Sequence, residues 1–221
     1  MRVARLPLES EAGSPVCHPL YLQLRGEPLR EYFAFVPPGS EASPPLVLVH
    51  GISRNVAQMI LRFCAEAERR NVPLIAPLFR KASYGMYQQL LDRRSGARAD
   101  EALFDILDDV EARWGVRAQQ FHLFGFSGGG QFAHRFAYLH ARRLLSCVPV
   151  SSGWYSWPDH QLKWPLGLLE APAAQLNLAP LELLPMHVLV GEWDTRLDEA
   201  LRKGAAIEAV QGVSRLERAE R

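Results

Sequence analysis

The residues Gly125-Phe126-Ser127-Gly128-Gly129-Gly130 end one apolar run, Phe121–Phe126, and lead straight into a helical pattern marked by Phe132, Ala133, Phe136 and Ala137. This is G-x-S-x-G between a buried strand and a helix. Such a turn lifts a serine hydroxyl above the end of a sheet. The residues two before and two after must be small, because strand and helix nearly touch there. Gly125 and Gly129 meet that demand, so Ser127 is the candidate nucleophile for acyl transfer, the hydroxyl oxygen attacking a carbonyl carbon.

Acyl transfer builds negative charge on the carbonyl oxygen, and two backbone N–H groups must point at it. One is supplied by Gly128, directly after the serine. The other belongs to the loop after an earlier apolar run, where the chain reads His50-Gly51-Ile52-Ser53-Arg54-Asn55, and Ile52 is the natural donor. His50, ending a run before a glycine, reads as a loop anchor; Ser53 or Asn55 reads as the cap of the following helix. A serine nucleophile also needs a base, and the base needs an acid to orient it. Asp194 begins the loop after the last apolar run, in Gly191-Glu192-Trp193-Asp194-Thr195, and is the candidate acid, with Glu192 as the fallback. Trp154, Tyr155 and Trp157, with Trp164 further on, stand where they either line an acyl or aromatic pocket or pack as an ordinary surface excursion.

A rival motif uses the same glycines. Gly128-Gly129-Gly130-Gln131-Phe132-Ala133 satisfies G-x-G-x-x-A, a dinucleotide fingerprint, which requires an acid about 20 residues onward to hold a ribose. The chain there reads Val148-Pro149-Val150-Ser151-Ser152-Gly153, with no acid. No Gly-Lys-Ser/Thr occurs, which excludes a phosphate-binding P-loop.

The elements that must hold these residues follow from hydrophobic pattern. Runs at 46–50, 72–79, 121–126, 144–150 and 187–191 are continuously apolar, as in parallel strands buried on both faces. Between them lie helical stripes: Val56, Met59, Ile60, Phe63, Cys64 and Ala67; Leu103, Ile106, Leu107, Val110 and Trp114; and Leu197, Leu201, Ile207 and Val210. Asp100 and Glu101 suit the N-terminus of the second. Strand–helix alternation of this kind predicts a single-domain α/β fold, an open and mostly parallel sheet with helices on both faces. Tyr21–Leu24 and Tyr32–Val36, joined by Arg25-Gly26-Glu27-Pro28, predict an antiparallel hairpin at one edge. The stretch Gly153–Leu184 fits neither period and reads as a lid-like excursion over one end of the sheet.

On LVLVHGISRN, FGFSGGGQFAHRFA and LVGEWDT, across roughly Leu46–Thr195, the chain resembles the α/β-hydrolase superfamily. Within it the chain is similar to bacterial serine esterases of the polyhydroxybutyrate depolymerase-like and feruloyl-esterase-like type. The resemblance implies hydrolysis of a carboxylic ester or related acyl compound through acyl-Ser127, with Ile52 and Gly128 as oxyanion donors and Asp194 as triad acid. It implies no metal and no cofactor. One departure stands out. Hydrolases of this fold run serine, acid, histidine, yet all seven histidines (His18, His50, His122, His134, His140, His160, His187) precede Asp194. The final strand and helix of that fold are also missing from the sequence. His160 and His50 are the two replacements for the base that position allows. The alternative function is a catalytically inactive binding or scaffolding protein on the same fold.

Composition narrows the partners. Twenty-five basic residues against 24 acidic ones leave a formal charge of +1, which gives no electrostatic case for nucleic acid or an anionic membrane. Three cysteines, Cys17, Cys64 and Cys147, share no short spacing, and no apolar h-region opens the chain; the expectation is reduced thiols in the cytoplasm. A small-molecule ester is the expected partner. The 187–190 strand carries no Pro or Lys, and as an exposed edge it is expected to invite self-association.

Overall fold

The apolar runs form the middle of one sheet in a computed structural model that describes residues 4–5, 18–173, 176–195 and 205–221. Seven strands, β1 (Ala4–Arg5), β2 (Leu20–Leu24), β3 (Arg30–Phe35), β4 (Leu46–Val49), β5 (Leu74–Pro77), β6 (Phe121–Phe126) and β7 (Leu144–Val150), lie in the order β1-β2-β3-β5-β4-β6-β7. The β2–β3 hairpin is antiparallel and continues antiparallel onto β5. From β5 through β4 and β6 to β7 every pairing is parallel. The short β1 adds an antiparallel rung at the hairpin edge.

Three long helices cover the sheet. Helix α1 (Val56–Arg70) buries Val56, Ile60, Cys64 and Ala67 against Leu48, Leu74 and Ala76 on one face. It ends at Asn71, whose left-handed backbone (φ 55°) lets its N–H reach the last carbonyls, a role open to asparagine. Helices α2 (Ala99–Trp114) and α3 (Gly128–His140) pack on the other face, over Val47, Val49, Phe121, Leu123 and Cys147. None of the described helices is long and apolar enough to cross a membrane.

The last run departs from expectation. Instead of a continuous strand over 187–191, the chain touches β7 at two isolated parallel bridges, Cys147 to Met186 and Val150 to Leu189. The reason lies in β7. Cys147 N–H donates to Pro185 and Ser151 N–H to Leu189, but the donor due between them belongs to Pro149, which has no N–H. Beyond it, residues 196–204, which carry half of the fourth helical stripe, lie outside the described residues. Helix α4 (Ala179–Glu182) is a single turn, and the chain finishes in α5 (Ala205–Gln211) and α6 (Arg215–Glu220). Helix α6 opens with a full capping box between Ser214 and Glu217.

The cysteines differ from the reduced set that spacing suggests. Cys64, buried on α1, is disulfide-bonded, with its partner outside the described residues, whereas Cys147 is free and buried. Sequence spacing does not report which cysteines a fold brings together.

Candidate active site

Strand β4 sits between β5 and β6, so the chain leaves it toward one side of the sheet and returns on the other. The crevice at the carboxyl ends of β4 and β6 is the switch point where open α/β sheets place their ligands. Ile52 follows β4 and Ser127 follows β6, so the topology brings both candidate groups to this crevice.

Ser127 occupies the single residue between β6 and α3, with φ 56° and ψ −109°. A non-glycine residue held there is strained, and such strain persists only where surrounding packing enforces it. The enforcement comes from the glycines. A Cβ on Gly125 would lie 2.0 Å from the Gly129 carbonyl oxygen, and one on Gly129 would lie 1.9 Å from that of Val49. A Cβ on Gly128 would meet the Tyr87 hydroxyl at 2.6 Å and the Ile52 nitrogen at 3.4 Å. The Gly128 and Ile52 backbones are therefore in close approach. Gly128 opens α3, so its N–H has no acceptor within the helix.

The Gly51–Ile52 peptide is held from several sides. His50 Nδ1–H donates to the Gly51 carbonyl at 2.7 Å, and the Arg54 N–H donates to the same oxygen at 3.0 Å. In a trans peptide this turns the Ile52 N–H the opposite way. The Arg54 guanidinium donates to the carbonyls of Ile52 and Phe79, and the buried Tyr87 hydroxyl donates to that of His50 at 2.7 Å. Asn55 is the N-cap residue of α1, yet its side chain makes no capping bond. This differs from the expected cap and leaves the amide free to face outward.

His50 and His134 are structural. Phe79 N–H donates to His50 Nε2 at 3.1 Å, so His50 is neutral with its proton on Nδ1 and both nitrogens engaged. That fits a loop anchor and removes His50 as a replacement base. His134 is bound the same way, Nδ1–H to the Gly130 carbonyl and Nε2 accepting from Ser156 N–H, both at 3.0 Å. His122 is bonded to Ser146 and His140 to Asp100. His18, His160 and His187 are exposed, and among the described residues no hydrogen bond holds His160.

Burial pushes His50 down from 6.5 to about 4, and it holds His134 well below its ordinary value. Unfolded, each takes up a proton near 6.5; folded, His50 resists until about 4. Acidification between those values therefore favours the unfolded state, by up to about 3 kcal/mol for His50 alone. The thermal midpoint should fall steadily from pH 7 to 4.5. His50→Gln should start lower and fall less steeply. A flat wild-type profile in thermal melts across that window would contradict a neutral, buried His50.

Asp194 does not meet a histidine. Its carboxylate accepts from Arg215 of α6 at 3.0 Å, and its carbonyl accepts from Leu216 N–H at 3.3 Å. Glu192 is exposed. The C-terminal helices dock beside it: the Gln211 amide exchanges two hydrogen bonds with the Tyr155 backbone, at 2.8 and 2.7 Å, and Arg218 donates to the carbonyls of Gly153 and Gly212. Nothing in residue spacing signals this docking.

The aromatic residues of the excursion divide. Trp154 is buried under the Arg135 guanidinium, 4.2 Å from its carbon to the ring centroid. Tyr155 lines a cavity of about 230 Å³ with His134, Tyr138, Met186 and Val188. Trp157 lines neither that cavity nor the one beside Ser127. Arg135 itself is wholly buried on α3 with no carboxylate partner among the described residues, and burial pushes it down to about 9. It donates to Ser156 of the excursion, to the Gln88 carbonyl of a short turn of helix at Tyr87–Gln89, and to Gln131.

A second cavity, about 210 Å³, runs between α1 and the end of β6, lined among others by Gly51, Asn55, Met59, Arg62 and Phe126. A Cβ on Gly51 would lie 3.5 Å from both the Ser127 Cβ and the Phe126 carbonyl oxygen, so this wall adjoins the serine. Sequence reasoning passed over it. The signal was present in Asn55, Gln58, Met59 and Arg62, spaced i, i+3, i+4, i+7 along α1.

No protein-family model matches the chain, and no curated protein matches it in sequence. Solved structures do. Poly(aspartic acid) hydrolase-1 from Sphingomonas sp. KT-1 superposes with a TM-score of 0.78 at 24% identity, covering 91% of this chain and 82% of that one. The poly(3-hydroxybutyrate) depolymerase LpqC from Bordetella parapertussis gives 0.78 at 22% identity, covering 93% and 76%. An S-formylglutathione hydrolase from Agrobacterium tumefaciens gives 0.59 at 12% identity, covering 92% and 87%. With a parallel sheet switching at β4, a hairpin at one edge and a serine between β6 and α3, these likenesses identify the fold as that of the α/β-hydrolases.

Proposed function

We propose that the chain is a serine hydrolase of carboxylic esters or related acyl compounds. It acts through acyl-Ser127, with the Ile52 and Gly128 N–H groups as oxyanion donors; Asp194, held by Arg215, has no histidine to orient. The observation that carries this reading is the strained Ser127 turn, with the Ile52 nitrogen packed against Gly128. The structural neighbours, named as hydrolases of poly(aspartic acid) and S-formylglutathione and as a depolymerase of poly(3-hydroxybutyrate), support the reaction class. Ser127 Oγ attacks the carbonyl carbon, its proton passes to a base, and the leaving oxygen departs with a proton. With His50 engaged and His160 held by no hydrogen bond among the described residues, solvent takes that proton and turnover is slow. A p-nitrophenyl ester or a fluorophosphonate should give one covalent adduct by intact mass, absent from Ser127→Ala. No adduct after prolonged incubation at high reagent concentration would overturn the assignment.

One observation favours the second reading, a silent binding protein on this fold. Arg215 holds Asp194, and a guanidinium, always charged, cannot serve as a base. The same labelling experiment separates the two.

The sheet edge at 186–189 supports self-association as a partner reading. Val188 and Leu189 are 46% and 50% exposed, and the segment holds no Asp, Glu, Lys or Arg. Light scattering after size exclusion should show mass rising with concentration, and Leu189→Lys should return it to monomer. A concentration-independent wild-type monomer would count against it.

A further inference from the structure

We infer that the cavity between α1 and the carboxyl end of β6 is a binding subsite for one limb of the ester, an unbranched chain ending in an anionic group. The inference rests on Ser127 as the reacting residue for its meaning, though not for its test. Gly51 is common to the cavity wall and to the serine's surroundings, so a chain bound there starts at the reacting carbon. The interior is apolar. Phe63 packs against Phe124 at 5.0 Å between centroids, Met59 lies beside them, and Phe126 is 49% exposed toward solvent.

His50 and Ser53 line the cavity from the loop after β4, and the other polar groups come from α1 and its N-cap. Asn55 is not spent on capping, and Gln58 and Arg62 follow it down the helix. Arg62 differs from its neighbours Arg69 and Arg70, which are both tied to Glu66. Among the described residues Arg62 has no carboxylate or hydrogen-bond partner, and no acid lines the cavity. A cation over an apolar trough with no acid in it fits an anion carried on a hydrocarbon.

The spacing sets the length. From Asn55 to Arg62 the helix rises on the order of 10 Å at 1.5 Å per residue. An extended chain of about eight carbons, each bond advancing somewhat less than its ~1.5 Å length, spans that distance. The volume, about 210 Å³, falls below the ~300–1,000 Å³ of sites for larger organic ligands, as a single chain requires.

The test uses Ser127→Ala, in which no acyl transfer interferes, with methyl-labelled methionine followed by NMR. Met59 lies in the cavity wall, and Met186 in the separate cavity serves as the internal control. Monomethyl suberate and dimethyl suberate share one chain and differ by a charge. The expected result is a shift of the Met59 signal, assigned by Met59→Leu, with the monoester binding about three- to tenfold more tightly. Arg62→Gln should abolish that preference and leave dimethyl suberate within about twofold. Equal binding of the two esters, a preference that survives Arg62→Gln, or shifts confined to Met186 would overturn the inference. So would a Met59 signal that moves with protein concentration alone, since a second copy would then fill the trough. Failure of the serine reading would appear only in the labelling experiment on wild-type protein.

Discussion

Gly129→Ala is expected to lose at least about 3 kcal/mol of stability, or to fail to fold. The added methyl would lie 1.9 Å from the Val49 carbonyl oxygen and 2.7 Å from that of His50, both backbone atoms at the carboxyl end of β4. Overpacking in a core usually costs about 1–3 kcal/mol where side chains can yield; here strand β4 itself must move. Against a total near 5–15 kcal/mol that is a large fraction. In a chain of this length it lowers the thermal midpoint by roughly 6–12 °C. Gly191→Ala is the control, because its nearest neighbour would be Asp194 Cβ at 3.9 Å, and it should stay within about 0.5 kcal/mol. Thermal melts of both variants decide the matter. A Gly129→Ala protein as stable as wild type would mean that α3 does not press on β4 as described.

The second large effect concerns how the rate depends on pH. A triad without its base keeps oxyanion stabilisation and loses several orders of magnitude in turnover, on the order of 10⁴ or more. The Ser127-dependent rate on an activated ester should therefore be slow. Its logarithm should rise with pH at a slope near one through pH 6–9, since hydroxide replaces imidazole as proton acceptor. A histidine base would instead give a plateau above an inflection near 6.5. Subtracting the Ser127→Ala rate isolates the relevant part. A plateau that disappears in His160→Ala would show that the exposed histidine of the excursion serves as the base, and would overturn the solvent-base account.

The parts of the molecule that obey local rules were legible in its sequence. β6 and β7 run over the residues their apolar pattern marks, and Gly125 and Gly129 predict a strand pressed against a helix. His50 reads as an anchor from its place between a buried strand and a glycine. The same place also allows a base, and only its two hydrogen bonds decide between them. What escaped was set by encounters between distant segments. The last run reads as a strand by composition, yet Pro149 on its neighbour removes a donor the ladder needs. Trp154 looks like pocket lining until Arg135 is found stacked on it. Asp194 has the placement of a triad acid, but its partner is Arg215, from a helix whose docking no periodicity reveals. The trough along α1 went unseen because each of its residues is ordinary alone.

Arg135 has a consequence for motion. One guanidinium joins α3 to Ser156 of the excursion and to Gln88 of the short helical turn, and Trp164 Nε1–H seals the neighbouring Gln89 carbonyl at 2.9 Å. Lifting the excursion would strip these donors together and leave His134 without the Ser156 amide. Contacts shared through one group break as a unit rather than one by one. The excursion is therefore tied to α3 and to the Tyr87–Gln89 turn by several bonds at once. It belongs to the same cooperative block as α3, so the Ser156 amide should exchange its hydrogen about as slowly as the core of that helix.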